Sequence, residues 1–311
     1  MLVSILIPTL NRRALLERAV DSALAQTHQD LEIVVSDDGS TDDTRSYLAD
    51  LVARESRVRL APQNPAPGLF TNMNHLLEQR RGDFFCVLAD DDRLEPDFVE
   101  RLLGHLEQRP RCVACFCGMS LVDIDERQFG TQATALRASP GELDDVVRHV
   151  IDMQLLLCNV LYRTAALGQL RFDLECLGTA EKDFNLRAYE LGPFFYCPDA
   201  LSIGRAHDGQ ASRTEREFMW LGQLRTLERH HFSRPGDERL RLRALQQTRV
   251  GYASVTARTR PAKCLGMVFS YLTEKPSSWQ PRELGSLTLS TLRATLRPPR
   301  WYLERLRGAL R

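Results

Sequence analysis

Apolar runs and amphipathic stretches alternate along the first 120 residues of the chain. Short runs of apolar, often β-branched residues predict buried strands at LVSILI (2–7), LEIVVS (31–36), VRLAP (58–62), DFFCVLA (83–89) and RCVACFCGM (111–119). Between them, apolar residues recur at three- and four-residue spacing. This spacing predicts helices over 12–25, 42–55 and 69–80, and Pro96 is expected to begin another. Continuous apolar strands joined by helices are typical of an α/β fold whose mostly parallel sheet is covered on both faces.

The pattern changes twice further along the chain. The region from about 120 to 212 is mixed, with short predicted strands at 157–162 and 194–203. Beyond it the spacing is helical, with predicted helices at 215–231, 237–258 and 261–273. Charge changes at the same point: residues 1–212 hold 21 Lys and Arg against 33 Asp and Glu, whereas 213–311 hold 20 against 8. We therefore expect a catalytic domain over 1–212, with halves of about 1–120 and 120–212, and a basic helical region over 213–311.

Polar residues cluster where the predicted strands end. They are Thr9 and Asn11 after the first strand, Asp37 and Asp38 after the second, Asn64 to Gly68 after the third, and Asp90 to Asp92 after the fourth. Ligands of open α/β sheets bind at the carboxyl ends of the strands. One cluster could be a solvated turn, but four in the same position predict that these residues converge on one site.

The three adjacent aspartates of VLADDDRLEP repel one another, and such an arrangement is tolerated when a positive charge lies among them. Oxygen ligands of this kind suit Mg²⁺ or Mn²⁺, which in turn bind diphosphate oxygens. A metal–diphosphate site on such a sheet implies a nucleotide substrate. The sequence contains no GxxxxGK[ST] loop and no GxGxxG after its first strand, which excludes the P-loop and dinucleotide-binding classes.

The cysteines and the ends of the chain point to an intracellular protein. Eight cysteines are scattered, mostly in apolar runs, as buried reduced thiols are. The cluster CVACFC resembles half of a zinc site, but no second pair follows at finger spacing, so a buried strand is the better interpretation. With no secretory signal and no apolar stretch of about 18 residues, cytoplasmic localisation is expected.

Four segments together resemble the family 2 glycosyltransferases of the GT-A fold. They are VSILIPTLNRRALLERAVDSALAQTHQDLEIVVSDDGSTDDT, NPAPGLFTNMNHLLEQRRGDFFCVLADDDRLEPDFVERLL, LGTAEKDFNLRAYELG and GRAHDGQAS, and they extend over residues 2 to about 212. The resemblance implies an inverting enzyme that transfers a sugar from a nucleotide-diphosphate donor, expected to be a UDP-sugar, to a hydroxyl acceptor with help from Mn²⁺ or Mg²⁺.

The resemblance also implies which residues bind the donor. Asp38, with Pro8, Thr9 and Asn11, is expected to hold the base, while Asp37 supports Asp38 or reaches the ribose. The remaining donor-site positions of the family fall on Asn64, Gly68 and Asn74. The family often has arginine immediately before this asparagine; here the residue is Met73, which leaves open which side chain completes the base and ribose contacts.

For the metal, the resemblance implies Asp91 as the ligand in every possible alignment of the motif. Asp90 is then expected to contact ribose or diphosphate, and Asp92 to be a second or water-mediated ligand. The alternative for Asp92 is a charge that favours the following helix N-terminus. In this family a histidine like His207 closes over metal and diphosphate; a structural role is the alternative. Arg205 and Ser212 are further candidates for phosphate contact.

The general base is the remaining catalytic assignment. Transfer to a hydroxyl needs a carboxylate that accepts the acceptor proton. The family has this base in a Glu-Asp motif at the start of a helix, but TAEKDFNL inserts Lys182 and leaves two candidates. Spacing to Leu186 favours Asp183, with Glu181 as the alternative. A third possibility is that both carboxylates only stabilise the helix N-terminus.

The acceptor and the basic tail are less defined. A glycan or lipid-linked glycan is the expected acceptor. Residues 291–311 carry six arginines and one glutamate, which suits peripheral contact with an anionic membrane at its inner face, or equally a solvated helical bundle. A nucleic-acid partner is disfavoured because the catalytic half is acidic. Two rival functions stay open: a sugar-nucleotide nucleotidyltransferase, and a glycosyltransferase-like scaffold with an idle site, which Lys182 and Met73 would suit.

Overall fold

The computed structural model describes residues 1–62, 68–131, 141–143, 146–151, 156–206 and 216–259. Its internal contacts divide the chain into two compact units, Met1–Gln210 and Ala211–Arg311. The first unit is built on one ten-stranded sheet and the second, where described, is helical.

The strands of the sheet are β1 Val3–Thr9, β2 Leu31–Asp37, β3 Val58–Leu60, β4 Phe84–Val87, β5 Arg93–Leu94, β6 Ala114–Val122, β7 Gln128–Thr131, β8 Gly141–Leu143, β9 Val160–Arg163 and β10 Phe194–Arg205. Their order is β3-β2-β1-β4-β9-β6-β10-β5, with β7 paired to β6 and β8 to β10. Pairing is parallel from β3 through β4 and again between β6 and β10. Between these two groups lies β9, which is antiparallel to β4 and to β6. The two groups therefore run in the same direction, and their six strands end at the same edge of the sheet.

The helices of this unit are α1 Arg13–Leu24, α2 Thr44–Arg54, α3 Leu69–Gln79, α4 Phe98–Glu107, α5 Val146–Ile151, α6 Thr164–Leu167 and α7 Ala180–Leu191. Short 3₁₀ segments, Leu157–Asn159 and Leu174–Thr179, precede β9 and α7. The helices predicted over 12–25, 42–55 and 69–80 are present within two residues at each end. The helix expected to begin at Pro96 begins two residues later.

The core explains why the first strands read as continuous apolar runs. Every residue of β1 is buried, since helices cover both faces of the sheet. The apolar face of α1 packs on it through Leu16, Ala19, Val20 and Ala23. The predicted α/β class with a mostly parallel sheet is thus confirmed. Sequence patterns did not show that β9 runs against its neighbours.

The second unit contains α8 Arg216–Arg229 and α9 Pro235–Thr259. The two helices pack closely: Trp220 covers Gly251, Gln223 Nε2 donates to Thr248 Oγ1 at 3.0 Å, and Arg241 Nη1 donates to the Leu227 carbonyl at 2.6 Å. None of the described helices is long and apolar enough to cross a membrane. The predicted helix at 261–273 and the arginine-rich tail lie outside the described residues.

Candidate active site

The carboxyl edge of the parallel strands brings the loops after β1, β2 and β4 together. Thr9 Oγ1 donates to Asp90 Oδ2 at 2.9 Å, and the main-chain N–H of Asp38 donates to the Thr9 carbonyl at 2.9 Å. Thr9 and Asp90 are both buried. Three of the four predicted clusters therefore meet at one edge, and Gly68 of the fourth joins them through its main-chain N–H, which donates to Asp38 Oδ2.

Arg12 supplies a positive charge to the aspartate triplet. It immediately precedes α1, and its Nη1 donates to Asp90 Oδ1 at 3.0 Å and to Asp91 Oδ2 at 3.1 Å. No sequence pattern indicated a role for this residue. Its position at a strand end, in the basic pair that follows Asn11, could have indicated it. Its partner Asp90, however, is 78 residues away in the sequence.

Two of the three carboxyl groups have raised pKa values. Burial raises the pKa of Asp90, and Asp91 adds to this, whereas Arg12 and the Thr9 hydroxyl act against it. Burial and the charge of Asp91 raise the pKa of Asp92 to about 7. Burial and like charge both disfavour the ionised form of these carboxyl groups. The adjacent like charges, and the all-oxygen set of carboxylate donors, fit a bound divalent cation.

Asp92 connects the triplet to β10. Its Oδ1 accepts from the main-chain N–H of Arg205 at 3.0 Å. The thiol of Cys158, in the 3₁₀ segment before β9, acts to lower the pKa of Asp92 and so lies close to its carboxyl group. The pKa of Cys158 is raised first by burial, then by Asp92, Glu181 and Asp91. Glu181 therefore lies near the same thiol as the triplet.

Asp183 lies on a different side of α7 from Glu181. Residues two apart on an α-helix are rotated by about 200°, so Glu181 and Asp183 of α7 cannot face the same site. Asp183 Oδ2 accepts from Arg187 Nε at 2.8 Å and Nη2 at 2.5 Å. Its carboxylate also lies within 4.8 Å of the ligand atoms of Asp173 and Cys176, a grouping that could hold a metal ion apart from the triplet.

Glu181 has the electrostatic character of a proton acceptor. Burial raises its pKa, and the adjacent Lys182 partly counteracts this. A carboxylate made more basic by burial accepts a hydroxyl proton more readily at neutral pH. Glu181 also raises the pKa of Tyr162, after burial, so it lies beside the β9 strand that crosses between the two parallel groups.

The predicted donor-pocket residues on β2 and its loop are fixed by hydrogen bonds. Asp37 Oδ1 accepts from the main-chain N–H and the hydroxyl of Ser40 at 2.9 and 2.5 Å. Asp38 Oδ2 accepts from the Gly68 N–H at 2.8 Å, and Asn11 Oδ1 from the Thr41 N–H at 2.7 Å. Gly68 adopts φ +120°, a conformation that favours glycine. These side chains thus form a rigid rim beside the triplet.

Other predicted residues are placed differently. Asn74 pairs with the main chain of Phe172: its Nδ2 donates to the carbonyl at 2.9 Å and its Oδ1 accepts from the N–H at 2.8 Å. Pro8 is buried within β1. Asn64, His207 and Ser212 lie outside the described residues.

Comparison with known proteins identifies the family. The family model described as "Glycosyl transferase family 2" matches residues 4–174. The chain belongs to glycosyl transferase family 2. This family 2 glycosyltransferase is similar to an uncharacterized glycosyltransferase of Rickettsia typhi, 27% identical over 234 residues, which are 73% of this chain and 72% of the relative. It is also similar to the GalNAc(5)-diNAcBac-PP-undecaprenol beta-1,3-glucosyltransferase of Campylobacter jejuni, 43% identical over 93 residues, or 30% of each chain.

Solved structures support the GT-A fold. S. aureus TarS 1-349 in complex with UDP superposes with a TM-score of 0.65 at 15% identity, over 95% of this chain and 89% of that one. The mannosyltransferase PcManGT of Pyrobaculum calidifontis, in complex with GDP-Man and Mn²⁺, gives a TM-score of 0.60 at 17% identity, over 94% and 86%. The predicted family, fold and enzyme class are therefore confirmed.

Proposed function

We propose that this family 2 glycosyltransferase transfers a sugar from a nucleotide-diphosphate donor to a hydroxyl group, with inversion and with help from a divalent cation. One observation carries the proposal: Thr9 and Arg12 hold the aspartates by hydrogen bonds at the carboxyl edge of the sheet, in a chain of glycosyl transferase family 2. Glu181 is a second carboxylate near this cluster, since its charge and those of Asp92 and Asp91 all raise the pKa of the Cys158 thiol. A proposed cation-binding cluster and a basic carboxylate could thus serve one reaction.

Asp91 and Asp92 would hold Mn²⁺ or Mg²⁺. Such an ion, when bound, neutralises charge on the departing diphosphate. Arg12 keeps Asp90 and Asp91 at a fixed separation through its two hydrogen bonds, and Thr9 fixes the other oxygen of Asp90. In this proposal Asp90 is the residue that contacts ribose or diphosphate.

The donor would lie on the rim formed by Thr9, Asn11, Asp37, Asp38 and Gly68. Solved relatives of the same fold hold UDP, UDP-GlcNAc or GDP-Man, which supports a nucleotide sugar but leaves the base open. A UDP-sugar remains our proposed donor. Asp38, held by Gly68, is the carboxylate proposed to accept from a base N–H.

We assign the general base to Glu181 rather than to Asp183. Asp183 is ion-paired with Arg187, which stabilises its charged form and weakens it as a base. Burial raises the pKa of Glu181, and its charge acts on the Cys158 thiol together with those of Asp92 and Asp91. It would take the acceptor proton as the hydroxyl oxygen attacks the anomeric carbon opposite the diphosphate, which inverts that centre.

The acceptor is proposed to be a glycan, or a glycan linked to a lipid. Similar proteins include the undecaprenol-linked glucosyltransferase named above and a teichuronic acid biosynthesis glycosyltransferase of Bacillus subtilis, 31% identical over 152 residues. Cell-surface polysaccharide synthesis is the corresponding process. Contact with the inner face of the membrane through the basic tail, and cytoplasmic localisation, stay proposals.

The base assignment is tested by comparing Glu181→Gln with Asp183→Asn. Glu181→Gln should reduce kcat by about 10³-fold, because general base catalysis contributes on the order of 10²–10⁴-fold. Asp183→Asn should retain most of the kcat, with a lower Tm from the lost ion pair. Release of nucleoside diphosphate from donor sugars, with extracted membrane lipids as acceptors, measures both.

The opposite ranking, with Asp183→Asn the inactive variant, would return the base to Asp183. Release of pyrophosphate instead of nucleoside diphosphate would favour the nucleotidyltransferase alternative. A wild-type protein that binds nucleotide but turns over none of the donors would favour the idle scaffold.

A further inference from the structure

Glu126 occupies an unusual position in the turn between β6 and β7. Its φ of 67° lies in the left-handed region, which is uncommon for residues other than glycine. Asp123 maintains this turn, because its Oδ1 accepts from the main-chain N–H groups of Asp125 and Arg127, each at 2.9 Å. The turn thus presents the Glu126 carboxylate in one fixed direction.

That carboxylate forms ion pairs with three arginines from three different elements. They are Arg18 of α1, Arg93 of β5 and Arg205 at the end of β10. Although burial acts to raise the pKa of Glu126, the hydrogen bond from Arg205 and the charges of Arg93, Arg205 and Arg18 lower it. Glu126 is therefore ionised, and its ion pairs connect β10 to α1.

Arg205 is the partner that reaches the aspartate triplet. Its side chain is only 2% exposed, and its Nε donates to the Asp91 carbonyl at 3.3 Å. Its main-chain N–H donates to Asp92 Oδ1 at 3.0 Å, and its Nη1 donates to the carbonyls of Asp123 and Ile124, each at 3.3 Å. A buried guanidinium thus lies against the backbone of the loop that carries the proposed metal ligands.

We propose that Glu126 is a positioning residue that holds the Arg205 guanidinium on the backbone side of this loop, so that it does not compete with the cation for the Asp91 and Asp92 carboxylates. The inference rests on the proposed function. A buried guanidinium requires an anionic partner, because leaving such a charge unpaired is strongly destabilising. Without Glu126, the Asp91 and Asp92 carboxylates of the loop that Arg205 already contacts are available to it as partners.

The first variant to test is Glu126→Gln, which keeps the side-chain size and removes the charge. Mn²⁺ binding is measured by electron paramagnetic resonance of the free ion, with Mn²⁺ alone and with saturating UDP or GDP. We expect the apparent Kd for Mn²⁺ to rise about tenfold, as it does when only about a tenth of the protein is in the competent arrangement.

A double variant separates competition from general loosening. In Glu126→Gln/Arg205→Gln the competing guanidinium is gone, so the Kd for Mn²⁺ measured without nucleotide should return to within about threefold of wild type, corresponding to less than about 0.7 kcal/mol. The matched control is Glu32→Gln, which also breaks a buried Glu–Arg pair, with Arg59, but at the opposite ends of the strands. It should lower the Tm and leave the Kd for Mn²⁺ unchanged.

Unchanged Mn²⁺ binding in Glu126→Gln would overturn the inference and leave the proposed function intact. So would a double variant that binds Mn²⁺ as weakly as the single one, since Glu126 would then only stabilise the turn. If wild type binds no Mn²⁺ with either nucleotide, the metal-dependent function fails and this inference with it.

Discussion

Both ends of the central sheet carry buried carboxyl groups, but their pKa values are shifted in opposite directions. At the amino ends of the strands, Glu32 accepts hydrogen bonds from Ser4 Oγ at 2.5 Å, the Arg81 N–H at 2.6 Å and Arg59 Nε at 2.9 Å. Burial acts to raise its pKa, but these partners outweigh burial and lower it. At the carboxyl ends, burial and neighbouring charge raise the pKa of both Asp90 and Asp92.

The difference separates a structural carboxylate from a functional one. The protein itself supplies the hydrogen-bond donors and the positive charge that stabilise the Glu32 carboxylate, so this carboxylate needs no bound ligand. Arg12 is shared between Asp90 and Asp91, yet the pKa values of Asp90 and Asp92 stay raised. A site that is electrostatically incomplete without a ligand is where perturbed ionisation is expected in an enzyme. Substitutions at the two ends should therefore have opposite effects on binding and stability.

The largest effect should come from Asp91→Ala. Loss of this carboxylate removes a proposed cation ligand, so metal-dependent nucleotide binding should weaken by about 10³-fold, or roughly 4 kcal/mol. Calorimetric titration of UDP, GDP, CDP and dTDP, each with and without Mn²⁺, measures it and identifies the preferred base. Equal binding by wild type and variant would remove Asp91 from the site.

The next effect should come from Glu32→Gln, and it should be on stability alone. Breaking a buried, hydrogen-bonded ion pair costs about 3 kcal/mol because Arg59 loses its partner. Chemical denaturation of the variant should show this loss, whereas kcat per folded molecule should match wild type. Reduced kcat with normal stability would mean that the two ends are coupled.

The smallest effect should come from Asp92→Asn measured without metal. The amide oxygen can still accept from the Arg205 N–H, while the repulsion within the triplet falls. We expect a gain of about 1 kcal/mol, or about 3 °C in Tm for a domain of this size, together with loss of metal-dependent binding.

The same variant has a pH signature. Because the folded-state pKa of Asp92, about 7, lies above its unfolded value, its contribution to stability is present in acid and is lost as pH rises through 7. Tm profiles in EDTA from pH 5.5 to 8.5 should therefore show wild type falling further than Asp92→Asn. Parallel profiles would show that Asp92 ionises normally.

Much of this architecture could be predicted from local patterns. The strands β1, β2, β4 and β6 are apolar runs, and the carboxyl-edge rule predicts that Thr9 and Asp90 lie together, as their 2.9 Å hydrogen bond shows. The choice between Glu181 and Asp183 could not be made this way. It depends on the rotation of α7 about its axis, which packing against distant residues sets. The contacts of Arg12 and Cys158 with the triplet likewise join residues that no short motif connects.

The late position of β10 in the chain has a consequence for biosynthesis. This strand inserts between β6 and β5, and its last residue completes the contacts to Asp91 and Asp92. A nascent chain that ends before residue 194 therefore exposes the edge of β6, a template for aggregation, and leaves the aspartate loop unsupported. The first unit can reach its native state only after about two hundred residues have left the ribosome, although its donor-binding half is made first.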